Sequence, residues 1–116
     1  MSRHAAEARG RRGETIAAWW LRLHGWRIVA SRVRTPVGEV DLVARRGRTV
    51  AFVEVKARAT PAALDIAIDR HRLKRVAAAA AMLAHRHAGA ADEIRIDVIL
   101  IAPRRLPRHI ANAWHG

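Results

Sequence analysis

Apolar residues recur along this chain first at helical spacing, then at strand spacing, then at helical spacing again. Residues 5–24 predict a helix, because Ile16, Trp19, Trp20 and Leu23 fall at i, i+3, i+4 and i+7 and would form one buried face. Gly25 suits its end. Residues 26–34 predict a first strand, with Ile28, Ala30 and Arg32 on one face. Thr35 and Pro36 mark a turn. Residues 37–45 predict a second strand and 49–57 a third, joined as a hairpin around Arg46 and Gly47. A loop through Thr60 and Pro61 leads to a second helix over residues 65–87. Its apolar stripe is Leu73, Val76, Ala80 and Leu83, and Gly89 is its stop. Residues 94–101 read as a last strand. Pro103 and Pro107 bracket a loop, and a short helical turn closes the pattern at residues 110–114.

The order is αβββαβ, which predicts an α/β fold: a mixed central sheet flanked by helices. At 116 residues the chain predicts a single domain over residues 1–116, with no repeat and no linker. Hydrophobic residues make up 51%, enough for a packed core rather than disorder.

Within the second and third strands the pattern is interrupted by charge. Glu39 and Asp41 share one face of the second strand, and Glu54 and Lys56 share one face of the third. With Arg46 and Gly47 as the turn, Asp41 falls opposite Phe52 and Glu39 opposite Glu54. All four polar groups then project from one face, and Asp41 and Glu54 become diagonal neighbours. Carboxylates in an apolar strand are costly unless compensated. A divalent cation, Lys56, or both would compensate them. Mg²⁺ or Mn²⁺ takes oxygen ligands and often only one or two carboxylates, so Asp41, Glu54 and the carbonyl of Val55 form a candidate ligand set. Lys56 would orient an attacking water or stabilise charge growing at phosphorus. The bland alternative is a buried Glu–Lys pair that only stabilises the sheet.

Charge sharpens this picture. Lys and Arg number 22 against 10 Asp and Glu, a net charge of +12, which favours a polyanionic partner such as nucleic acid. A composition rich in Arg and Ala also arises from a GC-rich genome. There are no cysteines, which excludes disulfides and cysteine zinc sites and fits a cytoplasmic protein. No apolar run approaches the ~20 residues that span a bilayer, and no apolar signal core follows the basic start, so no membrane partner is expected.

Asp41 followed by Glu54-Val55-Lys56 on adjoining strands, in αβββαβ order, resembles the PD-(D/E)XK nuclease superfamily and its restriction-endonuclease-like core. The closer resemblance is to the YraN family of small bacterial proteins. It is carried by residues 10–14 (Gly10 through Glu14), 38–43, 50–56, 95–98 and 110–114, and covers nearly the whole chain. The N-terminal half is also similar to archaeal Holliday-junction resolvases, which carry a glutamate in the first helix before the same hairpin. The resemblance implies metal-dependent hydrolysis of DNA, of branched or otherwise structured DNA in particular. Asp41 and Glu54 would be metal ligands, Lys56 the catalytic lysine and Glu14 an accessory acid. A resolvase-like protein would need a homodimer to cut two strands symmetrically. The chain departs from the pattern at Leu73, where a polar glutamine often follows a basic residue, here Arg72. The loop after Arg58 is also short.

Two readings of Glu14 stand at this point. It lies opposite the Ile16/Trp19/Trp20/Leu23 stripe, beside Ala17, Ala18 and Leu21, and either faces a site across that small-residue side or is a solvated acid. His85 and His87 fall on different helix faces and form no metal box. The tryptophans are expected in the core. Arg70, Arg72, Lys74 and Arg75 read as a solvated face or a phosphate track. Asp97 reads as the partner of a buried group. Besides a nuclease, the pattern admits a DNA-binding module without turnover and a basic adaptor for an acidic protein.

Overall fold

A computed structural model describes residues 3–66 and 69–114. Helix α1 (Arg3–Leu23) is followed by strands β1 (Arg27–Thr35), β2 (Gly38–Arg46) and β3 (Thr49–Ala57). A 3₁₀ helix (Pro61–Ile66), helix α2 (Arg70–His87) and strands β4 (Glu93–Ile101) and β5 (Arg108–Ile110) complete the order. The five strands form one sheet in sequence order. All neighbours are antiparallel except β3 and β4, which run parallel because α2 crosses between them. The α/β architecture expected from the pattern is therefore present, with one more strand than expected. Residues 108–110 pair with β4 where the pattern predicted only a loop leading to a helical turn at 110–114.

Each helix covers one face. Val43, Phe52, Val76, Leu83, Val98 and Leu100 form the layer under α2, and the expected Leu73/Val76/Ala80/Leu83 stripe is buried there. Helix α2 starts later than the pattern suggested. Residues 61–66 are 3₁₀, residues 67 and 68 lie outside the described part, and Asp69 caps the helix by accepting from the His71 N–H at 2.8 Å.

The face of α1 is not the expected one. Gly13, Ala17, Ala18 and Leu21 are buried against the sheet, while Ile16, Trp19 and Leu23 are exposed and only Trp20 is partly covered. The reason is spatial. A Cβ at Gly13 would lie 2.7 Å from the Cβ of Ala57, so at this turn α1 sits too close to β3 for any side chain, and the only large residue on the buried side is Leu21, two turns further on. The helix ends in a Schellman motif. Gly25, at φ +87°, donates its N–H to Arg22 O at 3.1 Å, and the Trp26 N–H reaches Leu21 O at 2.9 Å.

The hairpin turn also sits one residue later than expected. Gly47 and Arg48 form it, with Gly47 at φ +59° in the first central position, as a type II′ turn requires. Arg46 pairs with Thr49 and Leu42 with Val53. The correction moves every partner by two residues, which preserves the faces but changes who stands opposite whom.

Strands β1 and β2 lose strict alternation where they meet the site. Leu42 packs under α1, yet Val40 and Val43 both pack under α2. On β1, Ile28 belongs to the α1 side while Ala30 and Val33 both belong to the α2 side. A bulge between Ile28 and Ala30 accounts for the first change of face. Arg32, at φ +51°, accounts for the second. The expected common face for Ile28, Ala30 and Arg32 does not form.

Candidate active site

The β2–β3 ladder ends at the Leu42–Val53 pair, and Asp41 and Glu54 are the next residues beyond it, close enough for the charge of Glu54 to act on Asp41. Asp41 stands where β2 changes face, and its carboxylate turns toward β3. Its Oδ2 accepts the Val55 backbone N–H at 2.7 Å. A side-chain oxygen thus takes up a strand N–H beyond the end of the regular ladder.

Glu54 is 1% exposed. Its Oε1 accepts from Lys56 Nζ at 3.1 Å and from Arg72 Nε at 3.0 Å. Its Oε2 is buried and has no hydrogen-bond partner among the described residues. Buried carboxylate oxygens are rarely left so, because the lost hydration must be replaced. Two cations on one oxygen and none on the other leave an open acceptor. Lys56 comes from the same face of β3, and Arg72 from the first turn of α2, which docks on this side of the sheet.

Asp41 is pushed up to about 7 from the ordinary carboxylate value. Burial is the main cause, followed by the neighbouring charge of Glu54 and then, after the opposing Val55 N–H, that of Glu14. The Val55 N–H and Arg72 oppose this. A neighbouring carboxylate charge in a dry site disfavours the ionised form of Asp41.

Glu14 reaches the same neighbourhood from the other side. It is on the sheet-facing, small-residue side of α1, and its Oε1 accepts from Arg32 Nε at 2.9 Å. It therefore borders the site and is engaged by Arg32. Glu39, expected on the common face, is not there. It pairs at the surface with Arg34 at 3.6 Å, because β2 has changed face between it and Asp41. Among the described residues, no three His, Asp or Glu side chains converge closely enough to hold an ion by themselves. Two carboxylates and a strand carbonyl fit an ion that keeps much of its water, as Mg²⁺ does.

Sequence reasoning did not assign Arg72 to the site. Leu73, the departure noted from the family pattern, is buried in the core, and the neighbouring Arg72 turns its guanidinium to Glu54. Asp97 lies apart from these groups. It is fully buried and accepts from Arg95, from Nε2 of His109 at 2.7 Å and from the Asn112 N–H at 2.9 Å. Burial pushes its carboxyl up, but His109, Arg95 and Asn112 outweigh that and hold it below the usual range. Its role is to fasten β5 and the following turn to β4.

A five-stranded mixed sheet between two helices, with a Glu-x-Lys strand facing an Asp strand, defines an α/β protein of the resolvase fold. The structure is similar to a solved Holliday junction resolvase, Hjc from Archaeoglobus fulgidus. The TM-score is 0.60 at 21% identity, covering 86% of this chain and 73% of that one. The chain belongs to the Uncharacterised protein family UPF0102, the YraN family, whose model matches residues 13–101. UPF0102 proteins of Sphingopyxis alaskensis and Erythrobacter litoralis are 72% and 62% identical over 114 residues, each covering 98% of both chains. One from Parvibaculum lavamentivorans is 51% identical over 111 residues, 95% of this chain and 84% of that one. No described helix is long and apolar enough to cross a membrane.

Proposed function

We propose that the protein is a metal-dependent nuclease that hydrolyses phosphodiester bonds in DNA, with branched or structured DNA as its preferred class. The observation that carries this reading is the buried Oε2 of Glu54, which has no partner among the described residues and lies beside Asp41. The net charge of +12 and the fold shared with the Archaeoglobus fulgidus Holliday junction resolvase support DNA as the polyanion.

Asp41, Glu54 and the Val55 carbonyl would hold Mg²⁺ or Mn²⁺. When bound, such an ion supplies a low-pKa water and polarises a phosphoryl oxygen. The chain's own residues do the rest. Glu54 fixes the Lys56 ammonium through Oε1 while its Oε2 stays open. Lys56, thus positioned, offers a fixed positive charge to the developing phosphorane oxygens and a donor to the attacking water. Arg72 holds Glu54 from α2 and is half exposed, so its guanidinium is also available to the neighbouring phosphate. Glu14 acts as an accessory acid once Arg32 moves to a phosphate.

One observation favours a second reading, a DNA-binding module without useful turnover. Glu14 is held by Arg32 and so is not presented to the carboxylate pair. Cleavage of labelled linear, flapped and four-way DNA with Mg²⁺ or Mn²⁺ separates the two. The nuclease reading expects cutting by wild type, lost in Asp41→Asn and Lys56→Ala. Binding without cutting above the background of these two variants replaces it with the second reading.

A further inference from the structure

Ile16, Trp19 and Leu23 stand on the solvent side of α1, exposed by 45%, 59% and 78%. Their i, i+3, i+7 spacing makes one stripe, about 10 Å long at 1.5 Å per residue. Ile16 also forms the wall of a cavity of about 240 Å³ between α1 and the ends of β3 and β4. Ile101 and Pro103 contribute its apolar surface, and Arg9, Arg12 and Arg58 border it. None of Glu14, Asp41, Glu54 or Lys56 lines it. The surface is thus separate from the carboxylate pair and independent of the nuclease reading.

We propose that this cavity and stripe dock a segment of another protein, an acidic peptide that carries a bulky apolar anchor residue. The anchor enters the cavity, whose volume suits one large side chain, and the acidic residues pair with Arg9, Arg12 and Arg58. A contiguous apolar strip containing tryptophan and bordered by arginine has the composition of a protein interface core. Charge selects the partner. A second copy would bring its own three arginines and its own +12 to the same face, and like charges across an interface are costly. Nucleic acid suits the arginines but not the aliphatic floor, since Ile16, Ile101 and Pro103 offer no stacking plane. One face of the Trp19 ring already carries the Arg22 guanidinium, 5.0 Å from its centroid. An acidic peptide with an apolar anchor satisfies both halves of the surface.

Panning random eight-residue peptides displayed on phage against the full chain tests this. Enriched peptides should combine Asp or Glu with Trp, Phe, Leu or Ile. A labelled synthetic copy of the enriched sequence should bind wild type and lose at least tenfold affinity in both Ile16→Ser and Arg12→Glu, with weaker binding at high salt. Asp41→Asn should bind it as wild type does. Both altered positions are at the surface, so the fold should persist by circular dichroism; if Ile16→Ser unfolds, Trp19→Ser takes its place. No enrichment, enrichment lacking either acid or anchor, or affinity indifferent to both substitutions overturns the proposal. So does a single-stranded oligonucleotide that loses its binding in the same variants while no peptide binds. A dimer that dissociates on Ile16→Ser would hand the face to a second copy.

Discussion

Asp41→Asn should make the metal-free protein more stable at pH 8. The folded state holds the Asp41 proton up to about pH 7, whereas the unfolded chain releases it near 3.8. Between those values the folded state binds more protons, so stability falls as pH rises, and the penalty is complete above about 7. At about 1.4 kcal/mol per tenfold change in proton affinity, the rise corresponds to roughly 4 kcal/mol. Asparagine removes that penalty yet keeps an oxygen for the Val55 N–H. About half the figure, ~2 kcal/mol, should be recovered after side-chain rearrangement, or roughly 8 °C in melting temperature for a chain of this size. Mn²⁺ should have the opposite pattern. It competes with the proton, so it should raise the wild-type melting point more at pH 8 than at pH 6; at a hundredfold excess over Kd the gain in stability is about 2.7 kcal/mol. Asp41→Asn should not respond. Circular dichroism melts of both proteins at pH 6 and 8, with and without Mn²⁺, measure all of this, and the variant controls for histidine titration. A variant less stable than wild type at pH 8 without metal, or equal metal responses in the two, would refute the reasoning.

Lys56→Ala should leave DNA affinity nearly intact and lower metal-dependent cleavage roughly 10²–10³-fold, read in single-turnover assays; unfolding instead would show that the lysine only neutralises Glu54. Gly13→Ala gains up to about 1 kcal/mol in helix propensity but meets the Ala57 Cβ at 2.7 Å, so it should be destabilising by about 1–2 kcal/mol in urea melts. Asp97→Ala strips a buried acceptor from Arg95, His109 and Asn112 and should cost about 3 kcal/mol. The stability Asp97 supplies in wild type is present above about pH 4 and is lost as pH falls through its depressed value, which acid titration of both proteins would resolve. DNA affinity should fall with salt at a log–log slope of about −0.9 for each phosphate neutralised, and a flat titration would remove nucleic acid as the partner.

The third strand, the second helix and the charged pair on β3 were legible because their periods are regular and their partners local. The face of α1 was not. Large apolar residues normally mark the buried side, but here Gly13 meets Ala57 so closely that the near part of the buried side is made of Gly13, Ala17 and Ala18, with Leu21 as its one large residue. The two-residue change in register turned on which residue of the hairpin adopts positive φ, and Gly47 in the first central place settled it. Asp41 and Glu54 kept their common neighbourhood because a shift of two preserves the face, whereas Glu39 lost it where β2 changes face between it and Asp41. Nothing in the spacing of α2 distinguishes Arg72 from Arg70 or Arg75. Its place at Glu54 exists only once α2 is docked.

The metal assignment rests on Glu54 Oε2, a buried acceptor with no partner among the described residues. Crystals of the protein soaked in Mn²⁺ and measured for anomalous scattering test it directly. The expected result is one strong peak within coordination distance of both Glu54 Oε2 and an Asp41 oxygen, absent from crystals of Asp41→Asn. Density for a water or a guanidinium at that oxygen, with no anomalous peak at millimolar Mn²⁺, would contradict the assignment.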